Sequence, residues 1–157
     1  MKNLSVSAKA VLMAAIILIL GSLSSFSVEW IRGVSIGEVY GTFNLPPFSP
    51  PKWLFGPAWG KLYILLGIYC ANLNFAKTNR SNIYFFMYTQ LVLNIFWTVV
   101  FFSFSQLFLA SVMIVVMDIL VAGLLISDTR PIKYILIPYL IWLLFATYLS
   151  ISVLLLN

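Results

Sequence analysis

Trp59 and Tyr63 stand four residues apart, Trp97 and Phe101 do the same, and Pro138, Trp142 and Ala146 follow at that interval. Four residues is close to one turn, so each set shares a face wherever the segment is helical. Indole and phenol faces can hold a flat, apolar molecule by stacking, with no metal needed. Gln90 and Asn94 extend the Trp97 face. Amides in hydrocarbon need partners, so this face should turn inward, and simple interhelical hydrogen bonding is the competing account. Asp118 lies in line with Ala110 and Ile114. A carboxylate inside an apolar run is a functional candidate by default, and its rival is a protonated structural residue, because burying a charge is costly.

Other chemistry is excluded by what the chain lacks. There is no histidine, which removes the usual general base and the commonest metal and haem ligand. The single cysteine, Cys70, cannot form an internal disulfide or a multi-cysteine metal site and reads as a packing residue. No metal and no cofactor is expected. Charged residues make up 8% of the 157, against about 25% in a soluble domain, while 62% are hydrophobic and 17% aromatic. Mean hydropathy is +1.05. Such a surface belongs in a bilayer, and the absence of a basic run speaks against nucleic acid as a partner.

The elements that must position these residues are apolar runs at about 8–28, 54–74, 83–103, 107–127 and 132–156, each near the 20 residues that cross a bilayer. The fold class expected is all-α, a single integral membrane domain of five transmembrane helices. The first run follows Lys2 and Lys9 and ends in small residues, as a secretory signal would. Its apolar character continues through Phe26 and Val28, which favours a retained helix.

Residues 29–53 form the longest break. Long connections are usually functional or disordered, and Trp30, Tyr40, Phe43 and Phe48 argue for packing. This loop ends in a proline cluster, Pro46, Pro47, Pro50 and Pro51, which cannot be the inside of a helix. A stiff segment is thus expected to deliver Trp53, Phe55 and Trp59 to the mouth of the second helix, where Pro57 is tolerable in a first turn. Gly56 and Gly60, and Gly67 with Ala71, are small pairs that permit close helix approach. Lys61 is expected to snorkel towards the headgroups.

Five crossings put the ends on opposite sides. Lys2, Lys9, Lys77, Arg80, Arg130 and Lys133 fall on the side of the amino terminus, against Arg32, Lys52 and Lys61 on the other. This bias places the amino terminus in the cytoplasm and the 29–53 loop outside.

Three motifs carry a resemblance. Pro46, then Pro50-Pro51-x-Trp53-x-Phe55-Gly56-Pro57-x-Trp59-x-x-Leu62-Tyr63, then Gln90-Leu91-x-Leu93-Asn94-x-x-Trp97, and finally Pro138-Tyr139-Leu140-x-Trp142-x-x-Phe145-Ala146-x-x-Leu149 run in unbroken order from about Tyr40 onward. Together they are similar to the translocator protein family, the tryptophan-rich sensory proteins or peripheral benzodiazepine receptors, in a bacterial-type form. The resemblance implies a homodimer in the plasma membrane and a pocket for porphyrins such as protoporphyrin IX or synthetic apolar ligands. By motif position the pocket residues are Tyr40, Phe55, Trp59, Tyr63, Asn94, Ile114, Trp142 and Ala146. Trp53, Pro46 and the Pro50-Pro51 pair would shape its lid, and Trp97 joins the set by spacing. Ile151 stands where animal members carry the tyrosine of a cholesterol motif, and no basic residue follows it.

The expected function is a membrane receptor or carrier for tetrapyrroles, without enzymatic machinery. Two rivals differ in class. One is light-dependent porphyrin degradation, in which Trp59 and Trp142 would take part. The other is a proton-coupled transporter built on Asp118.

Overall fold

The computed structural model describes residues 5–157, which leaves Lys2 outside the described part. Six α-helices account for most of it: α1 Val6–Arg32, α2 Ile36–Thr42, α3 Phe55–Ala71, α4 Arg80–Thr98, α5 Leu107–Ser127 and α6 Ile137–Leu156. No strand occurs among the described residues. Five segments are long and apolar enough to cross a membrane, Val6–Arg32, Lys52–Phe75, Arg80–Ser103, Leu107–Ser127 and Pro131–Leu156. The chain is an integral membrane protein.

The first helix outruns the expected boundary at residue 28 by a full turn. Its stop is Gly33, whose φ of 72° permits the left-handed cap and whose N–H returns to the Glu29 carbonyl at 2.8 Å. Buried positions Ala14, Ile17, Gly21, Ser24 and Val28 recur at alternating steps of three and four, one stripe of mostly small side chains. That stripe lies against α3 so closely that a Cβ at Gly67 would overlap the backbone of Ala14, and one at Gly21 would overlap the Tyr63 ring.

The connection read as a loop over 29–53 contains α2. Ser35 and Glu38 form a reciprocal capping box: the Glu38 carboxylate accepts from the Ser35 N–H at 2.7 Å, and the Ser35 hydroxyl accepts from the Glu38 N–H at 3.3 Å. Beyond it, Pro46 to Ser49 makes a turn with Pro47 second and Phe48 at φ 64°, the pattern of a type II turn. The proline segment is tied at both ends. The Tyr40 hydroxyl donates to the Pro50 carbonyl at 3.1 Å and that of Tyr148 to Pro47 at 2.8 Å. Asn157, just beyond α6, exchanges hydrogen bonds with Asn44: Asn44 N–H to Asn157 Oδ1 at 2.9 Å and Asn157 Nδ2 to the Asn44 carbonyl at 3.1 Å.

Helix α4 ends in a wide π turn, Val99–Ser103, before the short link to α5. Arg32, in the last turn of α1, donates from Nε to the Ser103 carbonyl at 2.9 Å and so fastens that link to α1.

The opposite end of the bundle is held by Asp128, which is 1% exposed. Arg130 reaches both its oxygens, Nε to Oδ1 at 2.9 Å and Nη2 to Oδ2 at 2.8 Å, and the Tyr69 hydroxyl donates to Oδ2 at 2.6 Å. Burial pushes the carboxyl up, but the hydrogen bonds from Arg130 and Tyr69 outweigh it and hold the group below the usual carboxylate range. A depressed folded-state value stabilises the protein above the unfolded value of about 3.9, and that stabilisation disappears as pH falls through the folded value. Asp128→Asn is accordingly expected to cost about 1.5–3 kcal/mol at pH 7, the range for hydrogen bonds to a charged group. In thermal unfolding the gap between variant and wild type should close below about pH 4; a gap independent of pH would contradict the assignment.

Candidate functional site: an aromatic cavity beneath the α2 roof

A cavity of about 340 Å³ lies under α2, between α1, α3, the end of α4 and α6. This falls within the roughly 300–1,000 Å³ typical of ligand pockets. Its aromatic wall comes from five elements: Tyr40 from α2, Phe55, Trp59 and Tyr63 from α3, Trp97 from α4, Phe101 and Phe102 from the π turn, and Trp142 from α6.

The rings brace one another edge to face. Trp59 and Trp142 centroids are 6.2 Å apart at 84°, Phe55 and Trp142 6.3 Å at 78°, and Tyr40 and Phe55 5.1 Å at 73°. Such pairs contribute about 0.5–1.5 kcal/mol beyond burial and fix ring orientation. Trp97 stacks on Phe101 at 4.9 Å, and its indole N–H donates to the Ala110 carbonyl of α5 at 2.9 Å. That bond locks the Trp97 ring plane.

Beneath the aromatic wall a polar chain fixes Tyr63. Its hydroxyl donates to Asn94 Oδ1 at 3.0 Å, Asn94 Nδ2 donates to the Tyr139 hydroxyl at 3.1 Å, and Tyr139 donates to Gln90 Oε1 at 2.6 Å. Gln90 and Tyr139 are fully buried and Asn94 nearly so. The amide face of α4 therefore points into the bundle, and its amides hold a lining phenol from behind.

The structure thus sorts the sequence candidates into four groups. Tyr40, Phe55, Trp59, Tyr63, Trp97, Trp142 and Ala146 line one cavity. Asn94 stands behind Tyr63, and Ile114 is fully buried in the bundle core away from the lining. Trp53 is 69% exposed, on the outer side of the roof, while Pro46 and Pro50 are buried within the roof and Pro51 is exposed. Asp118 lies outside the cavity, its Oδ2 accepting from Thr147 Oγ1 at 2.6 Å and its Oδ1 unpartnered.

Several lining residues escaped the sequence reading. Gly21 and Ser25 bring α1 into the wall, and Gly37 and Lys52 bring in the roof. Phe102 joins Phe101 because the wide turn at Val99–Ser103 shifts the helical register. The one available signal was Ser35-Ile36-Gly37-Glu38, a capping-box spacing that marks a helix start.

Residues 10–156 match the family model described as the TspO/MBR family. The chain belongs to the TspO/MBR family. Among relatives, this TspO/MBR chain is 37% identical to the tryptophan-rich protein TspO of Archaeoglobus fulgidus over 136 residues, covering 84% of this chain and 88% of that one. It is 34% identical to the tryptophan-rich sensory protein of Cereibacter sphaeroides, covering 76% and 77%. Against the translocator protein of Homo sapiens the identity is 32%, over 73% and 72%. Within this TspO/MBR chain Phe55, Trp59, Tyr63, Trp97 and Trp142, from three helices, converge under one roof.

Proposed function

We propose that this TspO/MBR chain is a membrane receptor or carrier whose cavity binds a flat, largely apolar tetrapyrrole such as protoporphyrin IX. The observation that carries this reading is the ring-lined cavity under α2, with Trp59 and Trp142 held edge to face at 6.2 Å. Apolar ring faces suit a broad aromatic plane, and stacking asks for no iron ligand in a chain without histidine. Tyr40 supports a closed roof. Burial pushes its phenol up, so at neutral pH it is a neutral donor to Pro50 and brings no charge to the cavity wall.

The same reading places the protein as a homodimer in a bacterial plasma membrane, with the amino terminus cytoplasmic and the roof outside. The cationic side chains near the amino terminus and the 72–79 and 127–131 links support this orientation.

Titration of protoporphyrin IX into the protein in dodecyl maltoside tests the site. The Soret band reports better than fluorescence here, since the double variant Trp59→Phe, Trp142→Phe removes two of five tryptophan reporters. That variant should bind about tenfold or more weakly, the sum of two lost indole contacts. Equal affinity for variant and wild type would overturn the proposal.

A further inference from the structure

Two of the cavity's polar groups without a protein partner are a buried indole N–H and an exposed ammonium. One is Trp142 Nε1, buried in the wall without a hydrogen bond. A buried donor left unmade costs about 1–3 kcal/mol, so the position is one where a ligand acceptor gains. The other is Lys52, exposed at the cavity's edge and engaged in no ion pair within 4 Å, the sole such pair among the described residues being Arg130 with Asp128. The nearby acid Glu38 accepts from Ser35 through one carboxylate oxygen, and its charge feels Lys52 across a gap longer than an ion pair.

The fold also sets where Lys52 lies. Its aliphatic stem crosses α2 at Gly37, where an added Cβ would sit 3.1 Å from Lys52 Cδ. The glycine leaves room for the stem to run along the roof to the cavity rather than away from it. A lysine placed so, with apolar methylenes on the roof and an ammonium that makes no direct ion pair beside an aromatic chamber, suits an anion fixed to an apolar ring.

We propose that Lys52 is a specificity-determining residue that recognises a carboxylate at the edge of the aromatic ligand. The inference rests on the tetrapyrrole reading and deepens it. An aromatic body fills the ring-lined chamber while its acid group stays at the rim, next to the ammonium. A fully esterified or purely hydrocarbon ring gains only the first of these.

Protoporphyrin IX and its dimethyl ester separate the two contributions, since they share the ring and differ in charge. In dodecyl maltoside, which supplies no anionic headgroup, wild type should bind the free acid about tenfold tighter than the ester, the size of one charge-assisted hydrogen bond. Lys52→Met keeps the stem and removes the charge. It should erase the preference while leaving ester affinity unchanged, and Lys52→Arg should restore it. Lys61→Met, which removes an exposed charge outside the cavity lining, should leave the preference intact. Oleate carries the acid without the ring and should compete only at more than about tenfold higher concentration.

Equal binding of acid and ester by wild type, a preference that survives in Lys52→Met, a loss in Lys61→Met equal to that in Lys52→Met, or oleate competing as well as the porphyrin would each overturn the assignment. The aromatic cavity would stand in those cases, because porphyrin still binds. Failure of wild type to bind either form would overturn both.

Discussion

Gly60→Phe should abolish porphyrin binding while leaving thermal stability close to wild type. Gly60 lines the cavity, and a Cβ built on it meets nothing within 4 Å. The space next to this residue is therefore empty, and a ring placed there occupies the ligand's volume without displacing protein. The helix should tolerate the change, since phenylalanine is a better helix former than glycine by roughly 0.3–0.5 kcal/mol. We expect at least about a hundredfold loss of affinity, equivalent to about 2.7 kcal/mol, with the midpoint of unfolding shifted by no more than about 2 °C. The pairing of measurements matters. Retained affinity would mean that ligand binds elsewhere, whereas joint loss of affinity and stability would mean that Gly60 packs against protein.

Gly67→Leu should do the reverse and damage the fold itself. Helices α1 and α3 approach at Gly67 so closely that the Ala14 backbone fills the space of the missing side chain. A backbone contact cannot rotate away, so the helices must separate, and with them the Gly21 contact to Tyr63 two stripe positions further along. Overpacking by even one or two methylenes typically costs about 1–3 kcal/mol, and four carbons against backbone should exceed that. A fall in unfolding midpoint of more than about 5 °C in detergent is expected, against near-constancy for Gly56→Leu, whose surroundings are open. Similar midpoints for the two variants would sink the claim that Gly67, and not the Gly56 and Gly60 pair, is where helices meet.

The contrast between these glycines shows where sequence reasoning ends. Both pairs have the same small-x-x-x-small spacing, and nothing in the pattern says which one touches a neighbour and which borders a void. The number of helices followed from a simpler quantity, the length of each apolar run against bilayer thickness. The inward turn of Gln90 and Asn94 followed from the cost of an unpaired amide in hydrocarbon.

Ring convergence was accessible through four-residue spacing within each helix, but the division of labour between helices was not. Asn94 as a brace behind Tyr63, Ile114 in the core and Trp53 outside the roof are consequences of helix packing, which spacing along the chain does not encode. The π turn left no mark either, since Val99-Val100-Phe101-Phe102-Ser103 would read as ordinary helix. Helix α2 was different. Its Ser35 and Glu38 were visible all along, overshadowed by the prolines that follow.

The hydrogen bonds between Asn44 and Asn157 join positions 113 apart in the chain. They make the cover of the chamber a hasp rather than a flap, fastened by the far end of α6 as well as by its own connections to α1 and α3. On the proposed reading, Asn157→Ala should shorten the residence time of bound porphyrin, through a contact that touches neither the ligand nor any ring around it.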